Sequence, residues 1–130
     1  MGIEPYLLGS TINGILAQRL VRRTCESCRH SVPLPEKHRQ LFGANAPETL
    51  SQGAGWFECR GIGYKGRVGV FELLTLNSGL RRMITSRASE EEILEAARRN
   101  GLSTLREQAL ELVRQGVTTL EEITRVFHEL

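Results

Sequence analysis

With 130 residues and a mass of 14.6 kDa, the chain is long enough for one ordinary domain or for a piece of a larger one. Seventeen Lys and Arg against fifteen Asp and Glu leave a net charge of +2, too small an excess to predict a polyanion partner. Hydrophobic residues at 40% and charged residues at 25% exclude a disordered chain, no apolar run of about 18 residues suggests a membrane span, and MGIEPYLLGS lacks the basic start and apolar stretch of a signal peptide.

In chain order, residues 1–24 read as a helix followed by a strand. Pro5 suits a first helical turn, where its missing N–H costs nothing, and Gly14 marks a break. Ile15 to Arg22 then alternates in part, with Leu16 and Leu20 on one face and Ala17, Arg19 and Val21 on the other. This predicts a strand; a helix is the alternative, because Leu16 and Leu20 are also four apart.

Residues 25–66 are loop-rich and hold all three Cys and three of the four Pro, with a short helix predicted near Glu36–Leu41. A loop of this length needs a tie, and a metal would be one. RVGVFELL (67–74) is rich in β-formers with apolar residues on both faces, as in a buried strand. Four short helices follow. Leu80, Met83 and Ile84 give the first apolar stripe. Ser89 with Glu92 caps the second, which carries Ile93, Leu94 and Ala97. Thr104 with Glu107 caps the third, which carries Leu105, Ala109, Leu112 and Val113. Thr119 with Glu122 opens the last, with Leu120, Ile123, Val126 and Phe127.

Cys25 and Cys28 form a C-x-x-C knuckle whose two thiolates can turn around one zinc ion, and Cys59 is the obvious third ligand. The fourth ligand is open: His30, His38 and water are the candidates. The competing reading is a degenerate site of reduced thiols, with Trp56 and its neighbours filling the space. A redox role fits less well, since the C-x-x-C does not open a helix after a strand. Gly61, Gly63 and Gly66 match G-x-G-x-x-G literally, but a strand follows where the dinucleotide fingerprint needs a helix, so a glycine turn is expected. The chain has no G-x-x-x-x-G-K-[ST], H-E-x-x-H or G-x-S-x-G, and no catalytic set is complete. Arg19, Arg22, Arg23, Lys65 and Arg67 flank the Cys zone and would form either a basic patch or a solvated rim.

The ordered series GIEPYLL, LAQRLVRRTCESC, GYKGRVGVFELL and RQGVTTLEEITRV resembles the C-terminal part of the GspE/PilB family of type II secretion and type IV pilus assembly ATPases, the AQRLVR and ELL wording leaning to the GspE branch. The resemblance covers essentially the whole chain. It implies an α+β piece: residues 1–24 the end of a RecA-like ATPase core (a helix plus, with the return strand, two strands), 25–66 a zinc-binding Cys subdomain, and 67–130 the return strand and a bundle of about four short helices. It matches Cys25, Cys28 and Cys59 to three of four zinc ligands and puts Trp56 at the fourth Cys position. The family's phosphate-binding and catalytic motifs lie upstream of this segment, so no catalytic residue carries over, and ATP and Mg belong to a full-length parent. Arg19 and Arg67 are expected near a nucleotide edge or subunit seam. Implied partners are the other subunits of a hexamer, together with the inner-membrane platform and cytoplasmic components of the machine. The implied location is cytoplasmic, peripheral to the inner membrane through partners, with no nucleic acid bound. The alternative is a free-standing zinc-knuckle adaptor for protein or nucleic acid, and a third option an oxidoreductase using Cys25 and Cys28. Strands taken from a parallel sheet would expose Leu16, Leu20, Val70 and Phe71 and drive self-association.

Overall fold

The computed structural model of the chain describes residues 14–128, and the helix expected around Pro5 lies outside them. Strand β1 (Gly14–Thr24) pairs with β4 (Tyr64–Thr75), and β2 (Arg29–Pro33) pairs with β3 (Thr49–Gly53). The helices are α1 (Arg39–Phe42), α2 (Ser78–Thr85), α3 (Glu90–Arg99), α4 (Leu105–Arg114) and α5 (Leu120–Phe127). The chain is therefore α+β, as the sequence predicts.

The two long strands are antiparallel. A Cβ on Gly14 would lie 3.2 Å from the Leu74 oxygen, and one on Gly66 would lie 3.5 Å from Arg23, so each strand begins beside the end of the other. Both strands are expected from a parallel sheet; here they pair with each other and run antiparallel. The segment joining β1 to β4 leaves and returns at the same end, where the Cys25 N–H donates to the Gly63 oxygen at 2.9 Å. No crossover carries the chain back to the far end, and a parallel pair needs one. Burial is likewise uneven: Val70 is 1% exposed, whereas Leu16 is 61% exposed and Leu20 and Phe71 are also exposed. Val70 is thus covered by this chain and leaves the expected self-association surface.

The β2–β3 hairpin was not predicted. It pairs Arg29 with Gly53 through Pro33 with Thr49, and the connection between its strands holds a 3₁₀ turn, Glu36–His38, running into α1, and a second 3₁₀ turn, Gly43–Asn45, after it. The first turn and the helix fall where the sequence predicts a short helix.

Two compact units divide the described residues, 14–17 with 71–104 and 18–70 with 105–128. In the first, Leu76, Leu80 and Ala97 are buried, with Met83, Ile84 and Ile93 packed on them. Ser89 and Glu92 form the predicted reciprocal capping box of α3 at 3.2 and 3.3 Å, and Asn77, not singled out in the sequence, caps α2 by accepting from the Leu80 N–H at 2.8 Å. In the second, Val21, Leu34, Leu50, Val70, Ala109, Leu110, Val113, Leu120 and Ile123 form one buried cluster. Leu34 and Leu50 belong to the loop-rich zone, so that zone shares its core with α4 and α5 instead of standing alone. The four predicted helices thus fall two to each unit.

Glu122 fixes α5 to β1. Thr119 accepts from the Glu122 N–H at 3.1 Å, as the predicted cap requires. The carboxylate itself is buried and turns to other donors. It accepts from the Arg22 backbone N–H at 2.7 Å and Arg22 Nε at 3.0 Å, and from Arg125 Nε and Nη2 at 2.7 and 2.8 Å. An unpaired strand N–H is thereby satisfied by a side chain. Arg22 also lies over the Tyr64 ring at 4.2 Å, Thr118 Oγ1 donates to the Arg22 oxygen at 2.7 Å, and the Tyr64 and Thr119 hydroxyls share a hydrogen bond of 2.6 Å. Burial works against the charge of Glu122, but Arg125 and Arg22 outweigh it and hold the carboxyl at about 2, below its ordinary 4.5.

A depressed folded-state value means that this stabilisation is fully present above pH 4.5 and is lost as pH falls through about 2. Glu122→Gln keeps the shape but removes the charge facing two guanidinium groups. It should cost about 2–4 kcal/mol in urea unfolding at pH 7, and the deficit relative to the unsubstituted chain should shrink on titration toward pH 2. An unchanged urea midpoint at pH 7 would remove Glu122 from this role.

Candidate metal centre

Three segments converge on the cysteines, and backbone hydrogen bonds hold each in place. The end of β1 delivers Cys25, whose N–H bonds to the Gly63 oxygen at 2.9 Å, while the preceding Thr24 N–H bonds to the Val117 oxygen at 2.9 Å. The turn between β1 and β2 delivers Cys28, whose oxygen accepts from the Ala54 N–H at 3.1 Å. A 3₁₀ turn, Phe57–Cys59, delivers Cys59, and the following Arg60 takes a left-handed conformation (φ 57°) that swings the chain into the glycine turn.

The close approach of Gly53 and Gly63 sets how tightly these segments meet. A Cβ on Gly53 would stand 2.2 Å from the Gly63 oxygen, and one on Gly63 would stand 2.7 Å from the Gly53 oxygen, with Gly63 also at φ +82°. Only glycine allows two backbones so near. The predicted glycine turn is therefore a packing device: β4 begins at Tyr64, directly behind Gly63, and no helix N-terminus follows to take a phosphate.

The three Sγ atoms lie within 4.8 Å of one another, with Cys28 and Cys59 at 3.7 Å. A tetrahedral zinc ion with Zn–S of about 2.3 Å sets its sulfurs about 3.8 Å apart, so this donor set fits three corners of such a site. Cys25 and Cys59 are buried and Cys28 half-buried; all three are free thiols. Burial disfavours the Cys59 thiolate, but the Trp56 N–H at 3.1 Å and the Gly63 N–H at 3.4 Å, with the Cys28 thiol, outweigh it and lower Cys59 to about 7. Cys28 moves the other way: burial, and then the sulfurs of Cys59 and Cys25, push it up.

Among the described residues the cluster contains no His, Asp or Glu. His30 stands exposed on β2 opposite Gln52, and His38 lines a cavity with Val32, Pro35, Leu50 and Leu120. Neither histidine joins the thiols. Trp56 touches Cys59 through its backbone, while the residue as a whole is 62% exposed, so its indole does not fill the cysteine cluster. Glu58 was missed in the sequence: it hydrogen-bonds Ser27 and lies 3.9 Å from Lys65, tying the two Cys turns together at their rim. Its position beside Cys59 was the available signal.

Of the flanking basic residues, Arg22 is engaged by Glu122 and Lys65 by Glu58. Arg19 and Arg67 are exposed, and Arg19 Nη1 donates to the neighbouring Gln18 oxygen at 2.9 Å. A cavity elsewhere, lined by Leu41, Phe42, Leu110 and Arg114, carries a closed ion pair: Arg114 Nε to Glu111 at 2.8 Å, which holds Glu111 down to about 2.

Gly53→Ala should force the hairpin off the glycine turn. We expect a loss of about 1–3 kcal/mol in urea unfolding and easier modification of Cys25 and Cys59 by a thiol reagent. Unaltered stability and thiol protection would show that the approach is not required.

The family described as "Type II/IV secretion system protein" matches residues 1–125. The chain is 45% identical over 127 residues to the type IV pilus assembly ATPase PilB of Thermus thermophilus, covering 95% of this chain and 14% of that protein. It is 42% identical over 131 residues to the type II secretion system protein E of Pseudomonas aeruginosa, and 40% identical over 131 residues to the type II secretion system ATPase E of Vibrio cholerae. Each of these two alignments covers 99% of this chain and 26% of the relative, so the chain spans about a quarter or less of the proteins it matches.

Proposed function

This chain belongs to the type II/IV secretion system protein family, and from that premise we propose that it is the non-catalytic C-terminal part of a hexameric ATPase that powers pilus or pseudopilus assembly. The observation that carries the reading is a match running from residue 1 to residue 125, to relatives named as ATPases, in a chain with no phosphate-binding loop. Residues 1–24 are then the edge of a RecA-like core, 25–66 the Cys subdomain, and 67–130 the return strand and helices. Arg19 and Arg67, both exposed, are assigned to the nucleotide edge or subunit seam. The parent binds ATP and Mg, and this part carries motion to neighbouring subunits and to the platform and cytoplasmic components of the machine. It works on the cytoplasmic side and meets the inner membrane through those partners; no helix among the described residues is long and apolar enough to cross a membrane.

Cys25, Cys28 and Cys59 hold zinc in this reading. Bound there, zinc supplies a cross-link among three segments that otherwise meet through a few hydrogen bonds. The chain's own residues do the rest. The Trp56 and Gly63 amides favour the Cys59 thiolate, and Glu122 locks β1, which presents Cys25, against α5. A Cys zone braced in this way can transmit a push without folding under it. The adaptor reading rests on a basic patch, of which Arg22 and Lys65 already have acidic partners.

The purified 130-residue chain should hydrolyse no ATP above the buffer rate and should carry about one zinc per chain by elemental analysis, lost on Cys59→Ser. Hydrolysis at the rate of an intact motor would overturn the non-catalytic assignment. Reduced, undamaged protein without metal would overturn the zinc assignment alone.

A further inference from the structure

A structural zinc site has four ligands, and among the described residues three converge. Residue 56 stands to Cys59 as Cys25 stands to Cys28, three positions before it and on the near side of a tight turn. The first turn carries a thiol at that place and the second carries an indole. An indole nitrogen bears a proton and has no lone pair to give a metal. The Trp56 contacts to Cys59 run through its backbone, and His30 and His38 are elsewhere.

We propose that Cys25, Cys28 and Cys59 form a zinc site whose fourth coordination position is open, occupied by water and exchangeable for a neutral imidazole donor from outside the chain. The inference rests on the zinc reading above. Charge selects the ligand class. Three thiolates on Zn²⁺ carry a net charge of −1, and the Glu58 carboxylate, bonded to Ser27 and 3.9 Å from Lys65, lies at the rim of the two Cys turns. A carboxylate arriving from outside would bring another negative charge to the site, whereas imidazole brings none. Imidazole is also a ligand that zinc accepts beside sulfur.

Cobalt reports the ligand set directly through its visible absorption bands. The reduced 130-residue chain should bind one Co²⁺ with the spectrum of a tetrahedral, sulfur-rich site, and free imidazole should shift that spectrum saturably. Trp56→Cys should complete a four-sulfur site, bind zinc at least about tenfold more tightly, and leave a spectrum that imidazole no longer moves. Trp56→Ser, with circular dichroism matching the unsubstituted chain, should retain the imidazole response. Cobalt bound with a spectrum indifferent to imidazole would overturn the open position while leaving the zinc reading intact. Metal bound by Trp56→Cys alone, or a response to imidazole that survives in Trp56→Cys, would also overturn it. Failure of every form to bind metal would overturn the zinc reading itself.

Discussion

A strand at the edge of a two-stranded sheet has a backbone N–H with no neighbour to receive it, and a buried carboxylate has a charge that water no longer shields. In this chain each solves the other's problem. Glu122 accepts the Arg22 N–H together with the guanidinium groups of Arg22 and Arg125, and so joins the last helix to the strand that ends in the first cysteine pair. Removing either side would leave an unpaired buried group, which costs more than the bond contributes when made. The cluster around Val21, Val113 and Ile123 supplies the bulk of the burial, but it is non-directional. The Glu122 network fixes register, because it names one strand N–H and one helix position.

The thiol site depends on that register. Cys25 follows Thr24, whose N–H bonds to the Val117 oxygen just before α5, so the position of the helix is passed along the backbone to the sulfur. From the other side the glycine pair lets the hairpin press against the turn that follows Cys59. The result is a small site assembled from sequence-distant pieces, with amide donors already aimed at one sulfur. Amide hydrogen bonds onto a thiolate stabilise its charge.

Much of this was legible in the sequence. Apolar stripes beginning at Leu80, Ile93, Leu105 and Leu120 located all four later helices, and Ser89, Thr119 and their partners at the third helical position located two of the starts. The three cysteines were readable from spacing alone. The β2–β3 hairpin was not, because RHSVP and TLSQG have little alternation, end in Pro and Gly, and are joined by an ordered turn and helix instead of a short loop. The sequence also assigned Glu122 only half its role. Capping chemistry explains its N–H, but four residues before Val126 it flanks the buried face of α5, and an acid there needs cations that only tertiary structure reveals. Val70 misled in the opposite sense: it was expected on an exposed face with Leu16 and Leu20, which are exposed, but it is buried, because alternation marks a face able to be covered without saying by what.

The exposed indole at position 56 has an evolutionary consequence. The codon for tryptophan becomes one for cysteine by a single change of base, and a side chain that is mostly in solvent leaves no hole in the core when it is exchanged. A fourth sulfur at this turn is therefore one base away and would require no repair of the packing.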